Sequence, residues 1–279
     1  MKFFTAGVPI SSRSGSTEDG LIRVKELGLD GMELEFVRGV NMKEDKAKRV
    51  KEIAEKNGLS LSVHAPYWIN LNAKERDKLK ASIERIYQSA KIGYMAGAEN
   101  ICFHPAYYLG DDPKDVHNKV LGILKDLSER LKSEGISVIL RPETTGKPTQ
   151  YGSLEELLEL SAEIGGVLPC LDFAHLHARS GGKFNTKGEF VWVLEKIKEY
   201  LGENGLKNMH IHMSGIAYSS KGEKHHLNLE ESDLNWKDIL ETLYEFEADG
   251  FIVSESPNIE GDALLMKNYW KNISYSHKI

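Results

Sequence analysis

Short apolar runs that end in an imidazole or a carboxylate recur along this 279-residue chain, and helical patterns separate them. That recurrence constrains the fold more than any other feature. The run 59–63 ends at His64 and breaks at Pro66, beside Tyr67 and Trp68. Proline stops a strand and keeps the residue before it extended, so His64 sits at a strand end. A lone histidine there is most simply a satisfied core residue, but the pattern repeats. Residues 100–103 deliver His104 before Pro105, 136–140 deliver Arg141-Pro142-Glu143, and 167–171 deliver Asp172. The run 208–211 delivers His212, and 250–254 delivers Glu255. Two earlier runs, 2–8 and 31–36, bring the count to eight.

The intervening segments read as helices by spacing and by their stop signals. Thr17 opens one that ends at Gly28; Asn41 caps the next, which stops at Asn57-Gly58. Further helices are expected over about 73–96 and 113–133, from a Ser153/Glu156 capping box, and through about Tyr200 after a Gly-rich loop. Asp233 or Asn235 caps another, and 263–272 closes the chain. Eight strand–helix alternations without a linker predict an α/β fold, a single (β/α)8 TIM barrel over residues 1–279. An open doubly wound sheet is the alternative, but no Gly-rich phosphate loop follows the first strand. In a barrel, function sits at the C-terminal strand ends, where the imidazoles and acids fall.

Composition narrows the class. With 41% hydrophobic and 28% charged residues the chain is ordinary for a soluble globular protein. A net charge of −6 gives no general attraction to nucleic acid, so DNA binding needs a local basic face or bound cations. Cys102 and Cys170 are too few for a disulfide framework and are expected as buried, reduced thiols. No apolar stretch approaches the roughly 18 residues of a membrane span, and no leader opens the chain. A cytoplasmic monomer without membrane contact is the expectation.

Taken together, His64, His104, Glu143, Asp172, His175, His212, Glu223, His225 and Glu255 are too many donors for one four- or five-coordinate ion. Imidazole and carboxylate suit zinc, and also iron or manganese. Two or three ions bridged by a carboxylate would use the whole set. Clustered ions stabilise both the attacking and the leaving oxygen of phosphoryl transfer, so the residues point to a multinuclear metallohydrolase.

Here the resemblance to a known family becomes specific. Cys170-Leu171-Asp172-Phe173-Ala174-His175 is similar to the C-[IL]-D-T-[CA]-H motif of the endonuclease IV family of apurinic/apyrimidinic endonucleases, within the xylose isomerase-like barrels. Glu223-Lys224-His225-His226 is similar to its D-R-H-H, and the likeness runs through all eight units. The resemblance implies three Zn²⁺, with Mn²⁺ or Fe²⁺ as substitutes. One would be held by His64, His104 and Glu143. The second would take the bridging Glu143 with Asp172, His212 and Glu255, and the third His175, Glu223 and His225. It further implies hydrolysis of the phosphodiester 5′ of an abasic site in damaged double-stranded DNA by a metal-bound hydroxide, leaving a 3′-hydroxyl, with Glu143 catalytic. Phe173 stands for the motif's threonine, and Glu223 for its aspartate, one methylene longer. Loop residues 144–147 and 213–215 also depart from the pattern.

By the same resemblance Arg38, Tyr67 and Trp68 contact DNA, the two aromatics as a wedge in the gap left by the missing base. Lys147, Arg179, Lys183, Lys221 and Lys224 fall on mouth loops and are candidates for phosphate contacts. His210, two residues before His212 on the same strand face, is expected deeper in the barrel. His177 and His226 are expected around the ligands or facing DNA, and His117 and His277 at the surface. A sugar isomerase or epimerase, with one or two Mn²⁺ or Mg²⁺ ions held by carboxylates and a histidine, is the competing enzyme. A non-catalytic metal- or DNA-binding protein is the competing class.

Overall fold

The computed structural model describes residues 1–276; the expectation for His277 lies outside them. Eight parallel strands form one sheet: β1 (Lys2–Ala6), β2 (Gly31–Glu35), β3 (Ser60–His64), β4 (Ala98–Phe103), β5 (Ile139–Pro142), β6 (Cys170–Asp172), β7 (Met209–Met213) and β8 (Gly250–Ser254). Their order is β5-β4-β3-β2-β1-β8-β7-β6. Parallel bridges Leu140–Val167 and Glu143–Cys170 join β5 to β6 and close the barrel. Gly250 starts β8 at φ 135°, hard against Met209, where a β-carbon would stand 2.7 Å from the Met209 nitrogen. Only glycine permits that approach.

Helices α1 (Thr17–Glu26), α2 (Glu44–Asn57), α3 (Arg76–Met95), α4 (Pro113–Ser133), α5 (Leu154–Glu163), α6 (Phe173–Arg179), α7 (Lys187–Lys207), α8 (Trp236–Glu245) and α9 (Glu260–Ser276) surround it. Ser16 caps α1, and the Ser153/Glu156 capping box opens α5 as expected. Asn41 does not cap α2: Lys43 occupies the N-cap and offers no side-chain acceptor. Asn235, not Asp233, caps α8, because Asp233 is already engaged by His177 and Tyr218. The Gly-rich loop expected straight after Asp172 comes a helix later. Asp172 itself caps α6, accepting from the His175 N–H at 2.7 Å. Among the described residues no helix is long and apolar enough to cross a membrane.

Strand alternation divides the side chains into two sets. Phe3, Met32, Leu34, Leu61, Val63, Ile101, Leu140, Ile211 and Ile252 belong to the main core that packs strands against helices. The other parity faces the barrel axis, and there the apolar content is small: Phe4, Phe251 and Val253 cluster apart from the main core, with Phe4 stacked on Phe251 at 4.4 Å. The rest of the interior is polar. Glu33, Ser62, Asn100, Arg141 and His210 are all buried, where barrels ordinarily place branched aliphatics. Arg141 has neutral partners, donating to Asn100 Oδ1 (2.6 Å), Asn208 Oδ1 (2.7 Å) and the carbonyls of Pro169 and Asn208. Burial draws its pKa down to about 10.

Candidate metal centre

The C-terminal strand ends deliver the predicted donors to one place. His64 ends β3, His104 and Glu143 follow β4 and β5, Asp172 ends β6, His212 lies in β7, and Glu255 follows β8. Glu143 is central. Its Oε2 stands 3.4 Å from His64 Nε2 and 3.2 Å from His104 Nε2, and its Oε1 stands 3.3 Å from His212 Nδ1. Two donor groups result, each with its ligand atoms within 4.8 Å of one another: His64, His104 and Glu143, and then Glu143, Asp172, His212 and Glu255. Glu143 belongs to both.

The third group differs from expectation. Asp172 and His175 converge with His226, not with His225. His226 Nε2 lies 3.5 Å from His175 Nε2, and Glu223 Oε2 lies 3.4 Å from the same nitrogen. His225 is exposed. The reason is a bulge in the hairpin of Gly215–Ser219 and Gly222–Leu227. Tyr218 pairs with Glu223 and Ala217 with His225, so Lys224 is the extra residue. That insertion shifts the alternation by one and puts Glu223 and His226 on the same face, with His225 on the other. The longer Glu223 side chain is accommodated by Gly146. A β-carbon at that position would meet the Glu223 carboxylate oxygen and stand 2.7 Å from Glu223 Cβ. His226→Ala should therefore cost about one metal equivalent per chain, while His225→Ala leaves metal content unchanged. Metal analysis of the dialysed variants checks this; loss from His225→Ala alone would return the ligand role to His225.

Backbone carbonyls orient the rings. The Nδ1–H groups of His64, His175 and His226 donate to the carbonyls of Ala65 (2.8 Å), Thr144 (2.9 Å) and Glu255 (3.2 Å). Each Nε2 is left facing the centre, the arrangement that fixes metal-binding tautomers. His212 is reversed: its Nε2 lies 2.8 Å from Glu33 Oε1, so Nδ1 faces the carboxylates. Glu33 Oε2 accepts from Ser62 Oγ (2.7 Å) and His210 Nε2 (2.9 Å). His210 thus lies in the interior as expected, kept neutral by burial with its pKa drawn down to about 4.

The electrostatics is that of a site built for cations. Burial pulls down the pKa of His64, but the hydrogen bond to Glu143 and the charge of Glu35 outweigh it and hold the ring at about 10. Burial raises Asp172 to about 6 and Glu35 to about 8. Glu143 is lowered well below its usual range, because His104 and His212 overcome its burial. Among the described residues Glu143 Oε1, Asp172 Oδ2 and His212 Nδ1 are buried without a hydrogen bond. Such orphaned atoms cost about 1–3 kcal/mol each. Three of them converging from three strands fit a divalent cation.

Around the mouth, Tyr67 and Trp68 are 58% and 62% exposed, and Arg38 is exposed on the loop after β2. Trp68, Lys78, Arg85 and Tyr107 line a neighbouring cleft of about 410 Å³. Arg179 is engaged at Nη1, which donates to Thr145 Oγ1 and to the carbonyls of Lys147 and Gln150. His177 is buried between the Lys183 carbonyl and Asp233. His117 is half-buried against the Tyr151 hydroxyl instead of lying free at the surface. Glu33, Glu35 and both cysteines join the interior around the centre without having been singled out as site residues. Their only signal was the acidic alternation of β2 and the strand-end parity of the cysteines.

Comparison with known proteins agrees with this architecture. The chain is 46% identical over 268 residues to an uncharacterized protein of Methanocaldococcus jannaschii, covering 96% of each. It is 29% identical over 183 residues to a probable endonuclease 4 of Staphylococcus aureus, covering 62% of this chain and 59% of that protein. Among solved structures, a D-tagatose 3-epimerase-like protein matches with TM-score 0.76 at 21% identity, over 99% of this chain and 97% of its own. Endonuclease IV from Thermus thermophilus matches with TM-score 0.74 at 18% identity, over 97% of this chain and 99% of its own. Both structures share the fold. The family description "xylose isomerase-like TIM barrel" matches residues 21–271, and the chain belongs to that family.

Proposed function

We propose that this protein is a DNA-repair endonuclease that hydrolyses the phosphodiester 5′ of an abasic site and leaves a 3′-hydroxyl. The observation that carries the reading is the third donor group. It joins Asp172 to His175 and His226, with Glu223 3.4 Å from His175 Nε2; these last three lie outside the Glu143–Asp172–His212–Glu255 set, and a small sugar substrate has no need of them. The sequence similarity to a probable endonuclease 4 supports the same reading.

Bound divalent ions, zinc by the donor chemistry, would supply Lewis acidity to the phosphate and a lowered pKa to water. The chain's own groups do the rest. Glu143 and Asp172 each belong to two of the three donor groups at the barrel mouth, which ties those groups together. Backbone carbonyls anchor the rings of His64, His175 and His226 through Nδ1. Tyr67 and Trp68 are large, exposed and adjacent to His64, with the Tyr67 ring 5.6 Å from that imidazole. They fill the space of a missing base, and Arg38 meets a phosphate from the neighbouring loop.

A second reading has its own observation. Glu143, Asp172, His212 and Glu255 form a set of three carboxylates and one imidazole, suited to a single Mn²⁺ or Mg²⁺, and the D-tagatose 3-epimerase-like neighbour shares the fold. That reading is a sugar isomerase or epimerase. The deciding experiment incubates zinc-loaded protein with a duplex bearing one abasic-site analogue, beside an intact duplex, with metal content measured on the same sample. Nicking confined to the lesion, with a 3′-hydroxyl product, is expected. Absence of nicking with the donor groups filled would sink the endonuclease reading, and turnover of a ketose with Mn²⁺ would establish the other.

A further inference from the structure

The chain has two cysteines, and both are buried and free. They do not fill the main core. Cys102 pairs in register with His64 and Arg141, and Cys170 with His210, so both thiols share the parity of the barrel interior. Cys102 Sγ lies 3.2 Å from Glu143 Oε2. One donor atom from each of Cys102, Glu143, Cys170 and His212 lies within 4.8 Å of the other three, and all four residues are buried.

We propose that these four side chains form an inner site for a thiophilic divalent ion of the zinc or cadmium class, in addition to the three donor groups at the barrel mouth. Two thiolates, an imidazole and a carboxylate make a four-donor set of the kind tetrahedral zinc accepts, and thiolate ligands favour soft ions over Mg²⁺ or Mn²⁺. The donors come from β4, β6 and β7 and from the residue following β5, so they approach from different directions around the barrel wall. A disulfide is not the alternative use of this pair. β5 lies between β4 and β6, so two strand spacings, about 9–10 Å, separate the two backbones. A disulfide tolerates Cα separations only up to about 7 Å. An ion can span what a bond cannot.

Glu143 and His212 also belong to the mouth groups, so an ion in the inner site takes two of their donors. The inner and mouth groups therefore share those two side chains. Each thiol gives its proton to solvent on binding, and no change of oxidation state is involved.

The test is a titration of metal-free, reduced protein with cadmium chloride, following thiolate-to-cadmium charge-transfer absorption and bound cadmium together. Because the chain has no other thiol, the band reports these two residues alone. One band-forming equivalent per chain is expected, with both thiols becoming protected from a disulfide reagent. Cys102→Ser and Cys170→Ser should each retain about half of the band and bind cadmium in the inner site at least about tenfold more weakly. Cadmium bound without a thiolate band, or a band undiminished in either variant, would overturn the proposal, as would no cadmium binding at all. The native chain decides the main point by itself, independently of any turnover on DNA.

Discussion

Glu143→Gln is expected to lower turnover at least about a thousandfold, equivalent to about 4 kcal/mol of transition-state stabilisation. The substitution keeps the side chain's shape but replaces one of its two ligating oxygens with an amide nitrogen. In the native chain both oxygens are used. Oε2 faces His64 and His104, and Oε1 faces His212. An amide turned either way loses the charge at the join and one of these two contacts. Steady-state cleavage of the abasic duplex measures the effect, with metal analysis run in parallel. A variant that retained most of its rate would show that the two donor groups do not work through a shared carboxylate.

Stripping metal should produce the largest change in stability. Glu143, Asp172 and Glu255 are held together with Glu33 and Glu35 nearby, and several of their buried atoms lack hydrogen bonds. A cation that binds only the folded state, at a free concentration about a thousand times its Kd, adds about 4 kcal/mol. At roughly 2–4 °C per kcal/mol for a chain somewhat shorter than this one, zinc-loaded protein should melt about 8–16 °C above chelated protein. Thermal unfolding followed by circular dichroism with and without chelator is the measurement. Coincident melting curves would mean that the donors do not hold a tightly bound ion.

Most of the centre was legible because strand ends are easy to locate. An apolar run broken by proline or by a polar loop marks where a barrel strand stops, and His64, His104, Glu143, Asp172, His212 and Glu255 follow from that alone. His226 was not legible. A bulge changes which of two adjacent histidines faces inward, and nothing in Glu223-Lys224-His225-His226 announces that Lys224 is the extra residue. β2 was ambiguous for a different reason. Alternating apolar and acidic residues describe a solvent-facing strand and a polar barrel interior equally well, so the place of Glu33 beneath His212 required the closed sheet. Arg179 had the composition of a phosphate ligand, but its position beside the loop after β5 gave it three carbonyl and hydroxyl acceptors first. Short α6 was hidden because its cap, Asp172, was already accounted for as a ligand.

The polar interior has a thermal consequence. Arg141, Glu33, His210 and Asn100 occupy positions where other barrels stack aliphatic layers, and withdrawing such groups from water is unfavourable near room temperature. Hydration of charged groups carries a strongly negative entropy, so that penalty shrinks on heating while apolar burial reaches a plateau. A barrel filled in this way should lose stability more slowly with rising temperature than one of equal size packed with valine and isoleucine.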